Sequence, residues 1–139
     1  MRAKDYLRQI SKLDKLIENK IAEMERWKVI ATRTTAYSEG DRVQSSGGKE
    51  KMADAVCRYL QVEEEINEAV DRLVDAKREV IRTIERLEVE EYDVLHKLYV
   101  QGKTFQEVAE EKAKSYSWVT LKHGRALANL QKILEEKGR

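Results

Sequence analysis

Basic and hydroxyl-bearing side chains are concentrated in the C-terminal third of this chain, in a pattern that suits contact with nucleic acid. The interval from Lys112 to Leu134 contains no acidic residue, although charged residues make up 38% of the sequence. Its basic residues are Lys112, Lys114, Lys122, Arg125 and Lys132. Lysine and arginine neutralise phosphates, while short polar side chains can hydrogen-bond to base edges. The interval therefore predicts a nucleic-acid interface.

Two short-range signals predict the helices that must position these side chains. Thr104 is a plausible N-cap, and Glu107, three residues later, completes a capping box. Ser115 is the next capping residue, and the apolar residues behind it recur at helical spacing: Val119, Ala126, Leu127 and Leu130. A helix of about eight residues, a short turn and a longer helix is the layout of a helix-turn-helix, whose second helix enters the DNA major groove.

The inward apolar positions decide which residues of the second helix face outward. If Val119 faces the core, the residues at the start of that helix point away from it. We expect the basic side chains to flank the DNA groove, and Ser117 and Thr120 to reach bases. The predicted DNA-binding residues are Lys112, Lys114, Ser115, Tyr116, Ser117, Thr120, Leu121, Lys122 and Arg125. Trp118 is expected at the edge of the domain, packed against Phe105 or the preceding helix.

The same stretch carries a family resemblance. The sequence GKTFQEVAEEKAKSYSWVTLKHGRALANL resembles region 4 of bacterial sigma factors. It is more closely similar to the sigma-like C-terminal domain of phage and prophage regulators of the ArpU/RinA type, which often end in a His-Gly-Arg-Ala-Leu string, here residues 123–127. The upstream segments MRAKDYLRQISKLDKLIENKIAEM and LQVEEEINEAVDRLVDAKREVI are similar to long helical segments of the same family. The resemblance implies a DNA-binding regulator of phage late genes that acts alongside host RNA polymerase.

Two other functions remain open at this point. A small terminase subunit also combines a helix-turn-helix with oligomerising helices, although small terminases more often place the DNA-binding domain first. A protein-binding module could instead use the sigma-like shape to dock on RNA polymerase without binding DNA. The oligomeric size separates the first alternative from the regulator, and DNA binding separates the second.

The first 88 residues predict a long, coiled-coil-like helical hairpin. One helix is expected from about residue 4 to about residue 32, and a second from Lys49 to Leu87. The second helix has apolar residues seven apart at Met52, Tyr59, Ile66, Leu73, Val80 and Leu87, with companions at Val56, Val70 and Ile84. Residues 34–48, rich in Ser, Thr and Gly, are predicted to form the connecting loop. The predicted fold is all-α, with an antiparallel hairpin in residues 1–88 and a helix-turn-helix domain in residues 89–139.

The hairpin is interpreted as an oligomerisation or partner-docking element. Residues 1–33 carry nine basic and five acidic groups, whereas residues 49–88 carry eight basic and eleven acidic groups. These opposite excesses suit two helices that lie against each other. The second helix is longer than its intramolecular partner, so its last apolar residues need further cover. A homodimer is therefore expected.

The remaining composition argues against other classes of protein. No Gly-rich phosphate loop, Cys/His ligand spacing or Ser/His/Asp arrangement is present, so we expect neither an enzyme nor a cofactor or metal site. The acidic run at residues 63–65 is interpreted as a solvated face. Cys57 is the one cysteine, and it is expected to be buried. The N-terminus lacks the apolar segment of a signal peptide, and no membrane contact is expected, which predicts a protein of the bacterial host cytoplasm.

Overall fold

The computed structural model of the chain describes residues 1–40 and 46–138, and the side chains of residues 1–33 and 48–138. Within these ranges the chain is all-α, so the predicted fold class is confirmed. The helices are α1 (Ala3–Gly40), α2 (Ser46–Ile84), α3 (Val89–Leu95), α4 (Phe105–Lys112) and α5 (Tyr116–Lys137). A π-helical turn, His96–Val100, follows α3 directly.

The two long helices have different ends from those predicted. Of the predicted loop at residues 34–48, residues 34–40 belong to α1 and residues 46–48 belong to α2, while residues 41–45 lie outside the described residues. Serine and threonine cost a helix only a few tenths of a kcal/mol each relative to alanine, so a polar composition does not by itself end a helix. At its other end α2 stops at Ile84, three residues before the predicted end. Glu88 then caps α3 by accepting a hydrogen bond from the Glu90 backbone N–H at 3.2 Å.

The chain divides into two compact units, which are described separately. The terminal unit contains Met1–Leu13 and Leu73–Arg139, and the two-helix unit contains Asp14–Arg72. The predicted domain boundary between residues 88 and 89 lies inside the terminal unit. The reason is that the first turns of α1 and the last turns of α2 share a hydrophobic core with the C-terminal helices.

The larger core of the terminal unit joins both ends of the chain. Its buried residues are Ala3, Tyr6, Leu7, Ile10, Val80, Ile84, Leu95, Ala126 and Leu130. The Tyr6 hydroxyl donates to Thr83 Oγ1 at 2.9 Å, and the Ala3 backbone N–H donates to Gln131 Oε1 at 2.8 Å. A buried hydroxyl needs such a partner, because an unpaired one costs about 1–3 kcal/mol. These contacts tie the start of α1 to α2 and to α5.

A second core of the terminal unit holds the shorter helices. Its buried residues are Val94, Leu98, Val108, Ala109 and Val119, with Tyr99, Phe105 and Trp118 packed against them. This cluster takes residues from α3, the π-helical turn, α4 and the first turns of α5. The orientation of α5 is therefore fixed from its inner side by apolar packing.

In the two-helix unit, α1 and α2 run antiparallel. Lys20 Nζ lies 2.9 Å from Glu65 Oε2, and Arg58 Nη2 lies 2.9 Å from Glu23 Oε1, so higher residue numbers on α1 meet lower numbers on α2. The buried positions of α2 in this unit are Ala55, Val62 and Ala69, which are seven residues apart.

This alanine-rich seam lies one residue away from part of the predicted register. Val56 and Val70, predicted as companion core positions, are exposed, and so is Glu63. Small side chains on the seam let two helices approach closely, since the distance between helix axes depends on the side chains at the contact. Cys57 is exposed as well, contrary to expectation.

The packing of α1 in the terminal unit predicts a stability effect. Leu7 is fully buried, so Leu7→Ala should lower the free energy of unfolding by about 2–5 kcal/mol through lost burial and a residual cavity. Urea denaturation followed by circular dichroism measures this change. Val29→Ala is the control, because Val29 lies on the same helix and is exposed; its effect should stay within about 0.5 kcal/mol. Equally small effects of both substitutions would contradict the described core.

Candidate nucleic-acid interface

The first helix of the motif begins and ends at well-formed caps. The Glu107 backbone N–H donates to Thr104 Oγ1 at 3.1 Å, and the Thr104 backbone N–H donates to Glu107 Oε1 at 3.0 Å, which completes the predicted capping box. The Thr104 backbone N–H, together with its hydroxyl, lowers the pKa of Glu107. At the other end, Ala113 adopts a left-handed conformation with φ 55°, and the Lys114 N–H bonds back to the Ala109 carbonyl at 2.9 Å. This arrangement ends α4 and turns the chain toward α5.

Ser115 caps the second helix of the motif. Its hydroxyl accepts a hydrogen bond from the Trp118 backbone N–H at 3.0 Å, and its backbone is extended. The predicted role of Ser115 as a cap is therefore seen in the structure, and the side chain remains exposed. α4, the connection of residues 113–115 and α5 have the lengths of a helix-turn-helix.

The inner face of α5 carries one buried histidine. His123 Nε2 lies 2.7 Å from the Tyr99 hydroxyl, and the two rings are stacked with centroids 5.7 Å apart. Phe105 packs edge-on against the same imidazole at 5.0 Å. Burial, with a small contribution from the charge of Lys4, lowers the pKa of His123, and burial raises the pKa of Tyr99. The neutral imidazole can therefore accept a hydrogen bond from the Tyr99 hydroxyl, so His123 is a buried, hydrogen-bonded residue of the unit.

The outer face of α5 forms a shallow, open groove. The groove has a volume of about 840 Å³ and is lined by Tyr116, Ser117, Thr120, Leu121, Gly124, Arg125 and Ala128. Five of the nine predicted DNA-binding residues are thus brought together on one face. Gly124 and Ala128 were missed by the sequence reasoning, although their spacing of four residues from Thr120 and from each other was a usable signal.

The predicted DNA-binding residue Lys112 does not line this groove. Its side chain is only 12% exposed, and its ammonium pairs with Asp93, at hydrogen-bonding distance, and with Glu90 at 3.4 Å. Burial lowers the pKa of Lys112, but the hydrogen bonds and charges of Asp93 and Glu90 together outweigh that effect and raise the pKa overall. The structure therefore gives Lys112 a bridging role between α4 and α3, and does not bring it into the groove.

Three lysine side chains surround Trp118 at one edge of the motif. Lys114, Lys122 and Lys112 have their ammonium groups 5.4, 5.9 and 6.0 Å from the centroid of the indole. Cations over an indole face are stabilised by about 0.5–1 kcal/mol at exposed sites. Lys122 also approaches Glu88 Oε2 at 3.5 Å. Trp118 packs on the second core, at the edge of the motif where it was expected.

Other kinds of site are not seen in the part of the chain that the structure describes. Within it, no group of three or more His, Cys, Asp or Glu residues is arranged to hold a metal ion. The helices in the same part of the chain lack the combination of length and apolar content needed to cross a bilayer. Comparisons of the chain with models of protein families, with curated proteins and with solved structures give no match.

The buried histidine predicts a pH-dependent stability. The pKa of His123 is lowered in the folded chain, whereas an unfolded chain has a histidine pKa of about 6.5. The unfolded state therefore takes up a proton first as the pH falls. The contribution of neutral His123 should be fully present above about pH 6.5 and should decline below it. In thermal melting between pH 7.5 and 5, the wild type should be more stable than the His123→Gln variant at the higher pH. This difference should shrink on acidification.

His96→Gln is the matched variant for this measurement, because the chain has two histidines and His96 is less buried. Burial also lowers the pKa of His96, so this variant should remove the smaller part of the pH dependence. A stability difference between the wild type and His123→Gln that stays constant across this pH range would contradict a lowered pKa of His123 in the folded chain.

Proposed function

We propose that this chain is a DNA-binding transcriptional regulator in which α4 and α5 form the helix-turn-helix and α5 is the recognition helix. In this proposal α1 and α2 form a long antiparallel hairpin that precedes the DNA-binding domain. The particular kind of regulator is a sigma region 4-like protein of the ArpU/RinA type, which controls phage or prophage late genes together with host RNA polymerase. The observation that carries the proposal is the bare outer face of α5, opposite a fully packed inner face.

The dimensions of α5 suit a major groove. With 22 residues the helix is about 33 Å long at 1.5 Å per residue, and the major groove is about 12 Å wide. Val119, Ala126 and Leu130 are fully buried on the inner side. The opposite side is accessible along the first three turns, which is where a recognition helix contacts bases.

Two basic residues near this face are available for phosphates. Lys114 and Arg125 are exposed, and neither forms an ion pair with another described residue. The first turn of α5 contains no acidic residue. Since the Ser115 hydroxyl is bonded to the Trp118 N–H, the backbone N–H groups of Tyr116 and Ser117 are left at the positive end of the helix. A phosphate beside Lys114 would meet both the ammonium and these N–H groups.

The hydroxyl groups of the outer face have the chemistry to read bases. The Thr120 hydroxyl donates its proton to the Tyr116 carbonyl at 3.0 Å, so its oxygen is left to accept from a base amino group. Adenine N6 and cytosine N4 are the amino groups displayed in the major groove. The threonine methyl group can also contact a thymine methyl. Ser117 lines the same groove, and its exposed hydroxyl can donate or accept.

Gly124 supports the proposal that the groove binds another molecule. Glycine in a helix interior costs about 0.8–1 kcal/mol relative to alanine. A Cβ atom built on Gly124 would meet nothing within 4 Å, so packing inside the protein does not require glycine here. A close approach by another molecule does give a reason for it, because a glycine lets a ligand come near the backbone.

Docking on RNA polymerase through the same face is the second candidate function. Tyr116 and Leu121 are 55% and 58% exposed, and large exposed apolar side chains in a groove favour contact with protein. In this alternative, the groove binds a polymerase subunit and the chain does not bind free duplex DNA.

The charge contacts predict a measurable salt dependence. Replacing Lys114 and Arg125 together by glutamine should weaken binding to every duplex by a similar factor, because phosphate contacts carry no base information. Each lost phosphate contact should also reduce the slope of log affinity against log salt by about 0.9. Fluorescence anisotropy with a labelled mixed-sequence duplex, at several salt concentrations, measures both quantities.

Lys12→Gln is the matched control, since Lys12 is an exposed lysine on α1 that does not line the groove. This variant loses one positive charge and should keep nearly the wild-type salt slope. Unchanged affinity and slope in the double variant, with an unchanged melting temperature, would contradict DNA binding by this face. Retained binding to host RNA polymerase without any DNA affinity would then favour the docking alternative.

A further inference from the structure

One side of the two-helix unit displays apolar residues that no described part of that unit covers. Leu60 is 56% exposed, Ile21 43% and Val70 39%. Lys28 of α1 and Val56 of α2 line the same small cavity of about 170 Å³. Ile21 is two helical turns before Lys28, and Leu60 is one turn after Val56, so Ile21 and Leu60 lie on this common side. We call this surface the flank; its residues are Asp14, Ile21, Lys28, Leu60, Glu63, Asn67 and Val70.

The flank residues of α2 are symmetric about position 65. Leu60 and Val70 lie five residues on either side of that position, and Glu63 and Asn67 lie two residues on either side. If a second α2 crosses antiparallel with position 65 on a two-fold axis, each residue meets its counterpart. Leu60 then packs on Val70 of the second copy, and the Glu63 carboxylate accepts a hydrogen bond from the Asn67 amide. Self-complementarity of this kind is what a two-fold interface requires.

The flank residues of α1 have a symmetry of their own. Asp14 and Lys28 lie seven residues on either side of Ile21, a spacing that keeps all three on one face of the helix. An antiparallel second α1 with Ile21 on the axis would bring Asp14 of each chain opposite Lys28 of the other chain. The contact would therefore form twice. Within one chain these two charges are about 21 Å apart along the helix. Neither forms an ion pair with another described residue.

The two symmetry centres lie at a similar level along the unit. Lys20 contacts Glu65 at 2.9 Å and Glu23 contacts Arg58 at 2.9 Å, so Ile21, the centre of the α1 pattern, lies level with the part of α2 between Arg58 and Glu65. A single two-fold axis, perpendicular to the helices near this level, therefore passes close to the centres of both patterns.

We propose that a second copy of this chain docks on the flank about that axis, so that two antiparallel helix pairs form a four-helix bundle. The occupant is the same chain because the charge pattern of the flank is complementary to itself. Glu63 and Asn67 set the register, since polar residues in a helical interface favour one alignment at some cost in stability. The proposal concerns the two-helix unit and does not depend on DNA binding.

Sedimentation velocity without DNA, on the full chain, tests the register through charge reversal. Asp14→Lys places a lysine opposite Lys28 of the second copy, and Lys28→Asp places an aspartate opposite Asp14. Each single variant should raise the dimer dissociation constant about tenfold, because two attractive contacts become repulsive. The Asp14→Lys/Lys28→Asp double variant should recover the wild-type value. An equimolar mixture of the two single variants should form a heterodimer more tightly than either variant self-associates.

A second pair of variants tests the apolar contact. Leu60→Asp should give a monomer, whereas Gln61→Asp, an exposed neighbour that points to another side of α2, should leave the dimer intact. Circular dichroism checks that both variants keep their helical content. Wild-type chain that stays monomeric at high micromolar concentration would overturn the proposal. A dimer that is insensitive to Leu60→Asp, or a mixture of the charge variants with no gain in affinity, would overturn the docking surface.

Discussion

The packing of the inner face of α5 is the constraint on which the terminal unit depends. Val119, near the start of α5, belongs to the core formed by α3 and α4, while Ala126 and Leu130 belong to the core that contains the first turns of α1 and the end of α2. One helix therefore closes two hydrophobic clusters. Because its inner side is held by both clusters, its outer side has a defined orientation, and a side chain on that face needs no partner from within the unit.

Short-range signals in the sequence predicted the caps of α4 and α5 well, because caps and helix periodicity depend on neighbouring residues. Thr104, Glu107 and Ser115 act as the pattern indicated, and the outward residues of α5 followed from the positions of its apolar residues. Long-range packing was not predictable in this way. The partners of Lys112 are Asp93 and Glu90, and a charge pattern along the chain does not reveal which carboxylates lie beside a lysine.

The seam of α2 shows a different reason for a failed prediction. The large apolar side chains of Val56 and Val70 predict that both lie in the core, yet the buried series is Ala55, Val62 and Ala69. An alanine signals little by hydropathy, but its small side chain allows two helices to approach closely. Val70 then lies on the flank, where Glu63 also lies, and Val56 lines the small cavity on the same side. The buried series lies one residue before the predicted series at positions 56, 63 and 70. This shift explains both the unexpected core residues and the presence of Glu63 at a predicted seam position.

NMR spectroscopy tests directly whether duplex DNA contacts the outer face of α5, as we propose. A mixed-sequence duplex is titrated into isotope-labelled full-length chain at low salt, and the backbone amide shifts are followed residue by residue. DNA binding by this face predicts the largest shifts at the outward positions between Tyr116 and Arg125 and at Lys114, with little change at exposed positions of α2 such as Gln61. Shifts confined to α1 and α2, or no shifts at concentrations where the phosphate contacts should bind, would contradict it.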